Sequence, residues 1–320
     1  MTISSATTAQ GSSSDKSLRL AFMLMLAFFA IAPIWIYPIF LIKVMCFALF
    51  ACAFNLLIGF GGLLSFGHAM FLGTAGYAAA HAAKVWAWNP ELAILFGTVC
   101  ASGLSFVVGS LAIRRQGIYF AMITLALAQM IFFFCLQAPF TGGEDGIQGV
   151  PRGLLFGAID LRDNHRMYVL VLAIFLAGFL FIWRVVHSPF GQILKAIREH
   201  EDRATSLGYD TDRFKLLAFV ISGALAGTAG ATKSLVFQLA SLTDVHWSMS
   251  GEVVLMTLLG GMGTLFGPVV GAAVIVTMQN YLAQLGAWVT VVQGLIFVLC
   301  VLAFRRGIIG ELAHALKRPL

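Results

Sequence analysis

Nineteen consecutive residues, Ile118 to Leu136, carry no charged side chain. A helix rises 1.5 Å per residue, so such a run covers the roughly 30 Å hydrocarbon core of a bilayer. In that medium every backbone N–H and C=O must be bonded within the segment, which selects a helix. The rest of the chain repeats the pattern: apolar runs occupy 20–42, 44–64, 66–83, 92–113, 167–186, 214–237, 267–282 and 288–304, with a shorter one at 252–262. The first is too long for a signal-peptide core and lacks a small-residue cleavage site, so it reads as a retained span, kinked or ended early by Pro33 and Pro38. The run from Glu252 covers only part of a bilayer. The expected fold is an all-α integral membrane protein, a polytopic bundle of about ten transmembrane or partly spanning helices. Composition agrees, since only 11% of the 320 residues are charged, against about 25% in soluble domains.

Orientation follows from the basic residues. Lys195, Arg198, Arg203, Arg213 and Lys215 lie in one linker, and Arg114/Arg115 and Arg305/Arg306 at two other turns. Alternate crossings put all three on one side, which is the cytoplasm by the positive-inside rule, with both termini there. The loop 139–166, holding TGGEDG, falls outside. Residues 1–17, rich in Ser and Thr, read as a disordered cytoplasmic tail, 18–306 as the membrane domain, and 307–320 as a cytoplasmic tail.

The linker contains one amphipathic stretch, SPFGQILKAIREHEDRATSLG from Ser188 to Gly208. Ser188 is an N-cap followed by proline at the first helical position, and Gly208 is a natural stop. Phe190, Ile193, Leu194, Ile197, Ala204 and Leu207 recur at helical spacing, broken around His200 and Glu201. Lys195/Glu199, Arg198/Asp202 and Glu199/Arg203 are spaced as i,i+4 pairs. By pattern alone this helix either docks into a soluble partner or lies in the headgroup layer.

Two glycine-rich turns echo each other, GGLLSFG with Gly61, Gly62 and Gly67, and GGMGTLFG with Gly261, Gly263 and Gly267. Such segments either line a substrate path or let helices approach closely. Among polar residues in the spans, Asn55, Thr74 and Tyr77 either line the path or bridge helices, and His68 is either a path residue or a hydrogen-bonded packing residue. Glu252 either benefits from a helix N-terminus or meets a substrate ammonium. Lys233 is expected to snorkel.

Enzyme and nucleotide-binding signatures are missing. No G-x-x-x-x-G-K-[ST] occurs, and the look-alike Gly227 to Ser234 has Thr232 in place of the glycine before lysine. The cysteines lie in apolar runs, and the histidines show no metal-ligand spacing, so neither a disulfide framework nor a metal site is expected. A transporter built this way takes its energy from another subunit or from an ion gradient.

The stretches Asn55 to Ala80, Gly117 to Gln129, Thr141 to Arg152, Leu194 to Ala231 and Val253 to Ala272 resemble the permease subunits of ABC importers for branched-chain amino acids. The TGGEDG loop and GIYFA make the M-type subunit the better match. The resemblance implies a homologous H-type permease as partner, two ATPase subunits carrying ATP and Mg, and a periplasmic substrate-binding protein, all at a bacterial inner membrane, with no cofactor on this chain. It makes 187–213 the cytoplasmic coupling loop and 139–166 a periplasmic loop. Pro189, Phe190, Gly191, Ile193, Leu194 and Ile197 would enter an ATPase groove, with Arg198, Glu199 and Glu201 at its rim. The implied substrate is a branched-chain or related neutral amino acid. Relatives carrying urea, short amides or aromatic acids, and a carrier or channel driven by an ion gradient, are the alternatives.

Overall fold

The computed structural model describes residues 20–157, 159–282, 286, 288–303 and 307–315. The expectations for 1–17, for Arg305/Arg306 and for the last five residues lie outside them. The membrane helices are α1 (Leu20–Ile34), α2 (Pro38–Asn55), α3 (His68–Lys84), α4 (Pro90–Ala112), α5 (Ile118–Gln137) and α6 (Asn164–Val186). In the linker lie α7 (Pro189–Glu199) and α8 (Glu201–Ser206). They are followed by α9 (Thr211–Phe237), α10 (Trp247–Gly260), α11 (Gly267–Leu282), α12 (Trp288–Ala303) and α13 (Gly307–Ala315). Among the described residues, five segments are long and apolar enough to cross a membrane: α2 with its extension to Phe60, α4, α5, α6 and α9. The apolar run 20–42 divides where proline forces it to. Pro33 closes α1, and Pro38 opens α2 as its first residue.

Helix α2 is the core. Its apolar residues go all the way round, which suits a helix buried on every side, and 89% of its span is buried, against 28–33% for α4, α5 and α6. On one side α9 packs against α3 and α4 through small residues. Gly223 faces Ser105, Gly227 faces Ala101 and Ala231 faces Gly97, in antiparallel steps of four. A methyl added at Gly227 would lie 2.3 Å from the Ala101 Cβ, so the backbones meet directly. On the other side α10 and α11 form a tight hairpin, with Gly271 against the Met256 carbonyl and Gly260 against that of Gly267. At 14 residues α10 is about 21 Å long, short of a full crossing.

The loop after α5 is fastened to α9. A two-residue strand β1 (Ile147–Gln148) precedes the short hairpin of β2 (Leu154–Leu155) and β3 (Ile159–Asp160). β1 pairs antiparallel with β4 (Leu239–Ala240), Ile147 opposite Ala240. Arg152 donates to the Val236 carbonyl at 2.8 Å and Lys84 to that of Gln148 at 2.7 Å. Lys233, expected to snorkel, instead pairs with Asp244 in a largely buried contact. The stretch read as a tail includes α13, which returns to α10 and α11, with Gly307 seated against Gly261.

Candidate coupling and translocation site

Ser188 caps α7 as its sequence requires, its hydroxyl accepting from Gly191 N. The helix ends at His200, whose extended backbone (φ −152°, ψ 94°) separates α7 from α8. This break explains why the expected Arg198/Asp202 and Glu199/Arg203 pairs are not among the ion pairs of the described residues: i,i+4 spacing does not survive across it. Lys195 lies over the Phe60 ring, 5.6 Å from its centroid, and forms no ion pair with Glu199.

The apolar face of α7 points into its own chain. Leu194 and Ile197 are buried, and Phe190 stacks on Phe214 at the foot of α9, ring centroids 5.7 Å apart. Gly191 lies against the end of α6, where a methyl would come within 2.3 Å of the Val186 carbonyl oxygen. The expectation that this face is offered outward is therefore corrected. Ile193 is half-buried, and the exposed positions include Pro189, Gln192, Ala196, Glu199 and His200. Glu201 turns inward too, pairing with the buried Lys215 and accepting from Thr211.

Arg198 ties this helix to the two glycine turns. Helix α2 widens into a π-turn at Leu56–Phe60, and Arg198 Nη1 donates to the carbonyl of Gly59 within it. Its stem lies against Gly62, while Leu194 rests on Gly61. Asn55, one turn earlier, holds the second glycine turn with both ends of its amide. Nδ2 donates to the Thr264 carbonyl at 2.8 Å, and Oδ1 accepts from Gly263 N at 3.0 Å. Gly62 and Gly263 have positive φ (71° and 76°), a conformation that glycine alone adopts cheaply. Three stretches, the first and last more than 200 residues apart, thus converge on one junction. The Asn55 contact with Gly263 had no signal in the sequence beyond the echo of the two turns.

The remaining site residues lie elsewhere. Gly67 seats the start of α3 on the Thr124 carbonyl of α5, and Gly267 lies in the α10–α11 hairpin. His68 is fully buried among Phe54, Phe71 and Phe219. Its Nε2 donates to Ser222 Oγ at 2.8 Å, because that hydroxyl gives its own proton to the Ala53 carbonyl. The histidine therefore links α2, α3 and α9. Thr74 and Tyr77 line a cleft of about 460 Å³ between α3, α4 and α5, and their hydroxyls have no partner among the described residues. Glu252 lies beyond the first turn of α10, which begins at Trp247. The N-terminal dipole is thus not what holds it, and Gln279 of α11 donates to its Oε2 at 2.9 Å.

These features define an almost entirely helical, multi-pass membrane protein with a short amphipathic helix docked where two glycine turns meet. The chain belongs to the family of branched-chain amino acid transport system permease components, matched over residues 36–301. It is similar to the high-affinity branched-chain amino acid transport system permease protein LivM of Salmonella typhimurium, 26% identical over 301 residues, covering 85% of this chain and 70% of that protein. LivM of Escherichia coli is 24% identical over 296 residues with the same coverage. A more distant relative is the xylose transport system permease protein XylH of Escherichia coli, 27% identical over 180 residues, covering 52% of this chain and 44% of that protein. No solved structure matches the chain.

Proposed function

We propose that this chain is the transmembrane permease subunit of an ATP-driven importer for branched-chain or related neutral amino acids, forming half of a translocation path. In this reading about ten segments cross or enter a bacterial inner membrane with both termini cytoplasmic, and the 187–213 loop is the coupling element. A homologous H-type permease completes the path, two ATPase subunits hold ATP and Mg, and a periplasmic protein delivers the substrate. The observation that carries this is the seating of α7. Its inner face grips both glycine turns through Leu194 and Arg198, while Glu199, Ala196 and Gln192 stay exposed. A helix built this way transmits a push received on its polar face to the ends of α2 and α10.

The test is uptake of leucine by proteoliposomes holding the whole complex. Accumulation that requires internal ATP and a loaded binding protein is expected. Accumulation driven by an ion gradient without ATPase subunits would overturn the importer reading in favour of a secondary carrier.

A further inference from the structure

Thr74, Tyr77 and His81 stand at i, i+3 and i+7 on one face of α3, spread over about 10 Å of its length. All three line the cleft of about 460 Å³ between α3, α4 and α5, a size usual for small-ligand sites. Each also carries a buried polar atom with no partner among the described residues: the two hydroxyls and His81 Nδ1. Tyr77 is only 4% exposed. On the neighbouring helices, Thr98, Thr228 and Thr232 give their hydroxyl protons to the carbonyl four residues back. Thr74 makes no such bond. A buried polar group left unbonded is costly, and here three in a row border one space.

The facing walls are apolar. Phe96 and Cys100 come from α4, and Phe134 and Cys135 from α5. Trp86 and Phe140 stand edge-on to the His81 ring, with centroids 5.4 and 6.2 Å away. No Lys, Arg, Asp or Glu of the described residues lines the cleft. A zwitterion or an anionic headgroup would therefore enter without a counter-charge, at a heavy desolvation cost. A bare hydrocarbon chain would fill the volume and leave the three polar atoms unbonded. The chemistry that suits both walls is a neutral amphiphile, with carbonyl or hydroxyl groups along one edge of an apolar body. Access is lateral, because α4 and α5 bury only 33% and 28% of their spans, and Phe134 and Phe140 are exposed.

We propose that this cleft binds a neutral, carbonyl- or hydroxyl-bearing amphiphile of the bilayer. The Thr74 and Tyr77 hydroxyls and His81 Nδ1 hold its polar edge, and its apolar body lies among the aromatic rings. Glycerol esters and quinones share that chemistry. Thr74 and Tyr77 then serve a second ligand rather than the imported one, and the site stands whether or not the chain is an importer.

The test uses the full complex in nanodiscs and four diazirine probes: a monoacylglycerol, a quinone, a phosphatidylglycerol and photo-leucine. The monoacylglycerol or the quinone is expected to label the peptides holding Cys100 and Cys135 well above the phosphatidylglycerol, and the stronger of the two names the source. Thr74→Val and Tyr77→Phe should each lower that labelling by about two- to tenfold, as for one neutral hydrogen bond. Neither variant should melt below the parent in lipid-free detergent, since neither hydroxyl has a partner among the described residues to lose. Equal labelling by the neutral and anionic lipids overturns the site, leaving unselective lipid contact. Undiminished labelling in both variants, or a lower melting temperature for Tyr77→Phe, does the same. Labelling of these peptides by photo-leucine that leucine competes away would also overturn it, returning the cleft to the imported substrate.

Discussion

Arg198 of α7 donates to the carbonyl of Gly59, a residue 139 positions earlier, at the point where α2 loosens into its π-turn. The contact satisfies one of the last carbonyls of the helix, which has no partner within it, and it gives the linker a grip on the central helix. Arg198→Ala removes that donor and leaves α7 attached through Leu194 and Ile197. Uptake per ATP hydrolysed should fall by about ten- to a hundredfold, the consequence of losing a charge-assisted bond of about 1.5–3 kcal/mol. Paired measurement of leucine uptake and phosphate release in proteoliposomes checks it.

The orientation of α7 is tested by labelling. Glu199→Cys should react readily with a membrane-impermeant maleimide in inside-out vesicles, and its labelling should be blocked when ATPase subunits are bound. Ile197→Cys, buried against the chain, should react at least about a hundredfold more slowly, as for a group reached only by local opening worth about 3 kcal/mol. Cys46, Cys52 and Cys135 are buried and Cys100 is half-buried, so background labelling from these native thiols should be low.

Asn55 and Gly59 both hold the second glycine turn, one by hydrogen bonds and one by close approach. Asn55→Leu leaves Gly263 N and the Thr264 carbonyl unpaired, at about 1–3 kcal/mol for each group. In Gly59→Ala the new methyl would lie 2.7 Å from Gly263 N. Each variant should melt several degrees below the parent in detergent, and the double variant should lose less than the two combined, because the same loop is released.

The Lys233–Asp244 pair predicts an asymmetry. Lys233→Met alone strands a largely buried carboxylate, and breaking such a pair costs about 3–5 kcal/mol. The double variant Lys233→Met with Asp244→Leu, having no charge left to strand, should recover most of the lost thermal stability. Equal melting temperatures for the single and double variants would refute this account.

The small-residue ladder makes a third stability case. Gly227→Leu forces α9 away from α4, where a single methyl already comes within 2.3 Å of Ala101. Overpacking of this kind costs about 1–3 kcal/mol, and here the neighbour is another short side chain with no rotamer to yield. A lower yield of folded protein by size exclusion and a lower melting temperature are expected.

Much of this was legible from residue order. Charge-free runs mark the spans because hydrocarbon tolerates little else, and Ser188-Pro189 marks the start of α7 because capping is local. The break at His200 was visible as an interruption in the apolar spacing. Which way α7 faces was not legible, since an amphipathic helix has the same pattern whether its apolar side meets a partner or its own chain. Nor was the fate of Lys233, because Asp244 reaches it only after the chain has turned at Gln238, whose backbone is left-handed (φ 56°). Asn55 gave no local hint either, since its partners lie more than 200 residues downstream.

The interlocked backbones of α4 and α9 have a mechanical consequence. Surfaces toothed at every fourth residue cannot glide past one another by small amounts, and the next register lies about 6 Å away, four residues along the helix. Together with α3 they form a closely packed unit, so a displacement imposed near Arg213 would be carried along α9 toward Lys233 rather than absorbed by sliding. Flexure is thereby concentrated at the two glycine turns, the places where α7 and its neighbours have a hold.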